Sequence, residues 1–154
     1  MSQPRFQFTG ITPCLRYEDA GAMLGWLARV FGFEERARFV DLDGEVRQAE
    51  MYVGANEIFL SGLGRGHWER LGRRPDDYIV VWVDDVDAHH ARVVAAGVEA
   101  AAPKDQDWGV RSYSVRDPEG YGWSFMRRLT RGYIQTEPTE EGGWKEILAP
   151  GARR

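Results

Sequence analysis

Few residues in this 154-residue chain have the chemistry for catalysis or metal binding, and their spacing serves neither well. Histidine occurs three times, at His67, His89 and His90. The last two are adjacent on an expected helix, so their side chains diverge by about 100° and make a poor clamp for one ion. They read as a solvated helix face. Cys14 is the single cysteine and has no base beside it in the sequence, so it reads as a small buried thiol. Glu50 shares a strand face with Gln48 and Tyr52 and is the one candidate for a buried carboxylate and general base; the other reading is a solvated strand. Arg65, Arg70, Arg73 and Arg74 cluster in one Gly-rich stretch. They suit either a lid over an anionic ligand or a simply solvated run. No set of these residues converges on one reaction, so no catalytic residue and no cofactor is assigned.

Aromatic residues are the more informative chemistry. Six Trp, six Tyr and seven Phe exceed what a disordered chain would carry and are enough to build both a core and a pocket. The length suits one domain. A net charge of −4 argues against nucleic acid or an anionic membrane as partner. No apolar run approaches the roughly 20 residues of a membrane span, and the first residues do not read as a signal peptide. With one cysteine and no internal disulfide, the expected location is the cytoplasm.

The elements that must position these residues occur twice in the same order. From about residue 8 to 61, a strand over Ile11 to Tyr17 leads to a helix over Ala20 to Phe31, capped by Asp19 and stopped at Gly32. Strands at Glu34 to Asp41, Glu45 to Val53 and Glu57 to Ser61 follow, joined by Asp43-Gly44 and Gly54-Ala55-Asn56 turns. From about 77 to 129, a strand over Tyr78 to Val83 leads to a helix over Val86 to Ala96, capped at Asp84-Asp85 and stopped by Gly97. Runs at Glu99 to Ala102, Val110 to Arg116 and Gly122 to Arg127 come next. Ala28-Arg29-Val30 recurs as Ala91-Arg92-Val93. Repetition of this size marks two copies of one supersecondary unit. Residues 62–76 form a linker read as a mobile loop, and 130–154 a tail. Asp117-Pro118-Glu119-Gly120 is a type I turn signal between the last two strands.

That hairpin, the duplicated order and the Trp108-Gly109-Val110-Arg111 segment before it resemble the vicinal-oxygen-chelate superfamily. The group includes glyoxalase I, extradiol dioxygenases, and fosfomycin- and bleomycin-resistance proteins. The resemblance spans about Ile11 to Leu129. It implies an α+β fold in which two tandem βαβββ modules form an open, curved, barrel-like sheet with helices outside. In the metalloenzymes of the group, metal ligands sit on the first and last strand of each module. The matching positions here are Thr12, Phe59, Tyr78 and Ser124. None is His, Asp or Glu, and a slip of one residue adds only Asp77, so no metal is expected.

The bleomycin-resistance subgroup, which sequesters a flat cationic antibiotic between aromatic side chains in a dimer, is the nearer likeness. The expected ligand-binding set is Trp108, Trp82, Tyr78, Phe59, Ser124 and Met126, with Thr12, Arg16, Glu50 and Arg111 as polar neighbours. Trp108 is either a stacking residue or ordinary packing. Arg111 is either part of the site or a structural partner of Asp117 or Glu119. Strand alternation turns Trp123 and Phe125 to the core. The function implied is metal-free binding of an aromatic small molecule by a homodimer. The alternative is an enzyme of the same superfamily working by side-chain acid–base chemistry through Glu50, Tyr78 or Cys14. A third reading gives the working role to the tail, with Tyr133, Ile134, Trp144, Ile147 and Leu148 laid on a partner and Trp144 to Leu148 as a short helix or strand.

Overall fold

A computed structural model describes residues 5–132 and 137–152. The chain is α+β and divides into two compact units. One runs up to Asp76 and also takes in Pro118–Gly120; the other holds Asp77–Asp117 and the chain from Tyr121 onward. Each unit is a βαβββ module built on its own open four-stranded mixed sheet.

In the first unit, β1 (Cys14–Tyr17) is followed by α1 (Ala20–Trp26), then β2 (Glu34–Val40), β3 (Val46–Val53) and β4 (Asn56–Gly62), in sheet order β1-β4-β3-β2. β1 lies parallel to β4, a pairing that needs the crossover helix between them. Asp19 caps α1 through its side chain, which accepts from Ala22 N at 2.9 Å. The helix runs on as a π-helical turn, Leu27–Phe31, and stops where Gly32 takes φ 82°. Met23, Leu24, Leu27 and Val30 bury one stripe of it against Leu15, Tyr17, Ala49, Met51, Ile58 and Leu60 of the sheet. β1 is shorter than the sequence suggests, because Ile11 to Pro13 stay outside the sheet. β2 is an edge strand of this sheet, exposed at nearly every position, and its pairing with β3 breaks register between Glu35 and Ala37 and between Phe39 and Val40.

The expected mobile loop after β4 is instead partly helical. α2 (His67–Leu71) has left-handed glycines, Gly66 and Gly72, at its two ends. Trp68 explains the difference. It is only 7 % exposed, and burying an indole fixes the turn that carries it. Its ring Nε1 donates to Glu119 at 2.7 Å, and its backbone N donates to Glu18 at 3.0 Å. Glu119 also accepts from Glu18 N at 2.7 Å and Asp19 N at 3.2 Å. One carboxylate from the distant hairpin turn thus satisfies three donors of the first unit.

In the second unit, β5 (Tyr78–Trp82) leads to α3 (Val86–Ala95), then β6 (Lys104–Asp105), β7 (Val110–Arg116) and β8 (Gly122–Arg128), in order β5-β8-β7-β6. Asp85 caps α3 by accepting from Ala88 N at 2.9 Å. Trp123 and Phe125 are fully buried, as alternation predicts. The strand expected at Glu99 to Ala102 does not form; the short β6 begins after Pro103, which has no N–H for a ladder. Asp117 locks the β7–β8 turn, accepting from Trp123 Nε1 at 3.1 Å and Tyr121 N at 3.2 Å.

In the tail, Trp144 to Leu148 is neither helix nor strand, and Trp144 and Ile147 are exposed. Among the described residues of the tail, one isolated bridge pairs Thr139 with Gly142. Tyr133 and Ile134 lie outside the described residues.

Candidate functional site

Each sheet buries one face under its helix and leaves the other open, and the expected ligand-binding residues sort onto those faces by strand alternation. In the second unit, Cα partners run Tyr78–Gly122, then Val80–Ser124–Ser114, then Trp82–Met126–Ser112. This brings Tyr78, Trp82, Ser124 and Met126 onto one open face. Tyr78 is 69 % exposed. Gly122 lets its strand approach, since a Cβ there would stand 3.1 Å from the Tyr78 Cβ. A groove of about 540 Å³ lies at this end of the sheet, lined by Tyr78, Glu99, Ser114, Arg116, Gly122 and Ser124.

The polar chemistry of the face is hydroxylic. Ser114 Oγ and Ser124 Oγ are 2.7 Å apart, and Ser124 is only 8 % exposed. Ser112, also buried, accepts from Gln106 Nε2 at 3.3 Å. At the other end of the face, the Arg128 guanidinium sits 4.3 Å from the centre of the Trp82 ring, so one side of that indole already carries a cation. Trp108 lies off the sheet, in the turn between β6 and β7, and is 53 % exposed.

In the first unit, Cys14, Phe59 and Glu50 are Cα partners across β1, β4 and β3, and Arg16 lies two residues along from Cys14. Cys14 Sγ lies 3.4 Å from Ser61 Oγ, which donates to Gln48 Oε1 at 3.0 Å. Cys14 is exposed, not the buried thiol expected, because it points away from the helix that covers Leu15 and Tyr17. Glu50 is half-buried and paired with Arg36 of β2. It is not the chain's buried carboxylate; that is Asp117, 4 % exposed and engaged in its turn. Thr12 precedes β1 and is exposed.

Arg111 falls on the other side of the second sheet. Its guanidinium donates to both oxygens of Asp87 in α3 at 2.8 Å and to Asp105 at 3.0 Å. The expected partners Asp117 and Glu119 follow the far end of β7, while Arg111 stands at its start, where Asp87 of the helix and Asp105 of β6 are in reach. The ion pair holds Asp87 below the usual carboxylate range and raises Arg111 further. The two adjacent histidines are half-buried rather than solvated. His89 Nδ1 lies 2.6 Å from the Tyr113 hydroxyl and its ring packs 4.1 Å from Phe125; His90 Nε2 lies 2.9 Å from Ala100 O. Burial pushes the Tyr113 phenol well above its usual range. Both histidines are spent on packing α3 to its sheet.

The metal-ligand positions implied by the resemblance can be judged in each unit separately. The first offers a Thr hydroxyl and a Phe ring, and the second a Tyr phenol and a Ser hydroxyl already bonded to Ser114. Divalent cations in such sites take imidazole and carboxylate donors. The residues present do not fit a catalytic metal. Among the described residues no group of three or more His, Cys, Asp or Glu gathers around a point. No described helix is long and apolar enough to cross a membrane.

Sequence reasoning missed Ser114 and Trp68. Ser114 is visible only once the register sets it opposite Ser124. Trp68 stands in a Gly- and Arg-rich stretch that carries no periodicity.

Comparison with known proteins agrees with this fold. Residues 9–125 match the model of the Glyoxalase/Bleomycin resistance protein/Dioxygenase superfamily, and the chain belongs to that superfamily. It is 34 % identical to TioX from Micromonospora sp. ML1, whose crystal structure superposes with a TM-score of 0.64 over 78 % of this chain and 100 % of that one. An uncharacterised protein of Mycobacterium bovis is 28 % identical over 143 residues, covering 86 % of this chain and 93 % of the relative. A bleomycin-binding protein crystallised with bleomycin shares the fold at 17 % identity, with a TM-score of 0.60 over 79 % of this chain and 99 % of its own.

Proposed function

We propose that the protein binds a planar aromatic small molecule without a metal, on the open face of its second unit. The observation that carries this reading is the make-up of that face. Tyr78 lines a groove at one end of the face together with the paired hydroxyls of Ser114 and Ser124, and Trp82 and Met126 extend aromatic and polarisable surface toward the other end. Such a face orients a ligand by hydrogen bonds and holds it by stacking. The likeness in fold to a bleomycin-binding protein supports the same class of ligand. Glu50, the candidate base of an enzymatic alternative, is engaged by Arg36 instead of standing ready for a proton.

The reading extends to a cytoplasmic homodimer. The lone free Cys14 suits a reducing compartment, and Trp144 and Ile147 are apolar groups that a second chain would cover. Truncation after Arg131, read by light scattering, tests the tail: an unchanged dimer removes it from assembly, and a full-length monomer refutes the dimer.

Titration with a panel of planar aromatic antibiotics and metabolites, read by Trp fluorescence, tests the binding reading. Trp82→Ala and Trp108→Ala should each weaken binding by roughly 1–3 kcal/mol while leaving the protein folded. Metal analysis of the purified protein should find no stoichiometric transition metal. One tightly bound equivalent, or no response to any planar ligand, would overturn the proposal.

A further inference from the structure

The arginines of this chain fall into two sorts. Arg36, Arg38, Arg47 and Arg111 each hold a carboxylate. Arg65, Arg73 and Arg74 hold none among the described residues, although the chain as a whole carries more acids than bases. These three line one depression of about 600 Å³ in the first unit, together with Trp68, Glu18 and Glu69. They come from the two ends of α2, so their gathering follows from the fold of the loop and not from adjacency alone.

The platform beneath them is fixed. Trp68 is buried and tied by its ring N–H to Glu119, and Gly66 and Gly72 hold left-handed backbone at φ 82° and 78°. Arg70 braces the turn by donating to the Arg65 carbonyl at 2.9 Å. Of the two acids in the lining, Glu18 already accepts from the Trp68 backbone N–H, while Glu69 makes no ion pair among the described residues. Three guanidinium groups therefore line one hollow with two carboxylates, an excess of one positive charge. Guanidinium forks match carboxylate and phosphate oxygens in pairs, so an anion with several such oxygens can engage more than one of them.

We propose that the segment from Arg65 to Arg74 is a binding site for a small polyanion, a molecule carrying two or more neighbouring phosphate or carboxylate groups, separate from the aromatic face of the second unit. The hollow has the volume of a small-metabolite site. Occupancy would order the exposed ends of Arg73 and Arg74 over α2.

The test is calorimetric titration of the full chain with pyrophosphate and, in a second arm, citrate, both at constant ionic strength so that screening does not imitate binding. Saturable one-to-one binding is expected, and the arm with the higher affinity tells phosphate from carboxylate. Replacing both arginines, Arg73→Ser with Arg74→Ser, should weaken it by about tenfold or more, the loss of charged hydrogen bonds. Arg73→Lys with Arg74→Lys should keep part of the affinity, because charge remains and the fork does not. Glu69→Gln should tighten binding. All three substituted positions are exposed, so folding should be intact, and circular dichroism checks it. Absence of saturable heat in both arms overturns the proposal, as does equal affinity in the Ser double variant. Binding of a DNA duplex alone, with steep salt dependence and no response to either small anion, overturns it too.

Discussion

Glu119→Ala should destabilise the first unit although Glu119 lies in the hairpin turn between β7 and β8. Its Oε1 accepts from Glu18 N and from Trp68 Nε1, both at 2.7 Å and both partly buried, while Oε2 accepts from Asp19 N at 3.2 Å in the open. Water can replace the exposed bond, so the loss falls on the other two. A net hydrogen bond to a charged group contributes about 1.5–3 kcal/mol when buried, and partial exposure trims it. The expected cost is about 2–4 kcal/mol. Glu119→Gln keeps an acceptor at Oε1 but loses the charge and turns an amide N–H toward Asp19 N–H, so about 1–2 kcal/mol is expected. Urea unfolding followed by Trp fluorescence measures both, and the slope with denaturant should stay unchanged. A cycle with Trp68→Phe should give a coupling of at least about 0.5 kcal/mol. If Glu119→Ala unfolds within about 0.5 kcal/mol of the parent, or if the cycle shows no coupling, the carboxylate is not the tie described here.

Gly62→Ala should cost about 1–3 kcal/mol, at the upper end, because the new Cβ would fall on the Val46 carbonyl oxygen, a backbone atom that cannot rotate away. Gly25→Ala, in α1 with nothing near its Cβ position, should stabilise by about 0.5–1 kcal/mol; the pair checked by thermal melts separates lost space from helix propensity. The raised Tyr113 phenol favours the protonated form in the fold. Its stabilising effect is full below the ordinary phenol value of about 10 and is lost as pH rises through the folded value. Tyr113→Phe should therefore leave the phenolate absorbance titration near pH 10 to 11 unchanged, and a smaller amplitude there would contradict the burial. Asp87 is held low by Arg111, so its contribution is present above about pH 3.9 and fades as pH falls through the folded value. Arg111→Gln should flatten the acid limb of a stability–pH profile, and added salt should do the same to the parent protein.

The fold was readable because its signals are local. Asp19 and Asp85 announce two helix starts, Gly32 and Gly97 two stops, and Asp117-Pro118-Glu119-Gly120 a turn, each acting within a few residues. Alternation then placed Trp123 and Phe125 inside and Tyr78 and Trp82 on the open face. What stayed hidden depends on partners far away in the chain. Arg111 takes Asp87, and Trp68 takes Glu119, across 24 and 51 residues. Both strands carrying Glu50 and Arg36 are legible, but the pairing of the two residues depends on the β2–β3 register, which shifts beside Arg36. His89 and His90 looked solvated because hydropathy alone does not reveal that Tyr113 offers one of them a hydroxyl.

The β2 edge of the first sheet has a consequence for how an added strand would be received. Among the described residues no strand pairs with the outer side of β2, and its Phe39 and Val40, with Leu42 just beyond, are open to solvent. An uninterrupted edge of that kind templates the addition of foreign strands. Here the two breaks in register divide the edge into short pieces, so an incoming strand that matches one piece is out of step with the next. Arg36 and Arg38, with Glu34 and Glu35, add charge to the same pieces. The register breaks and charges of β2 thus disfavour growth of the first sheet at this edge, and removing only one of the two breaks would still leave the other.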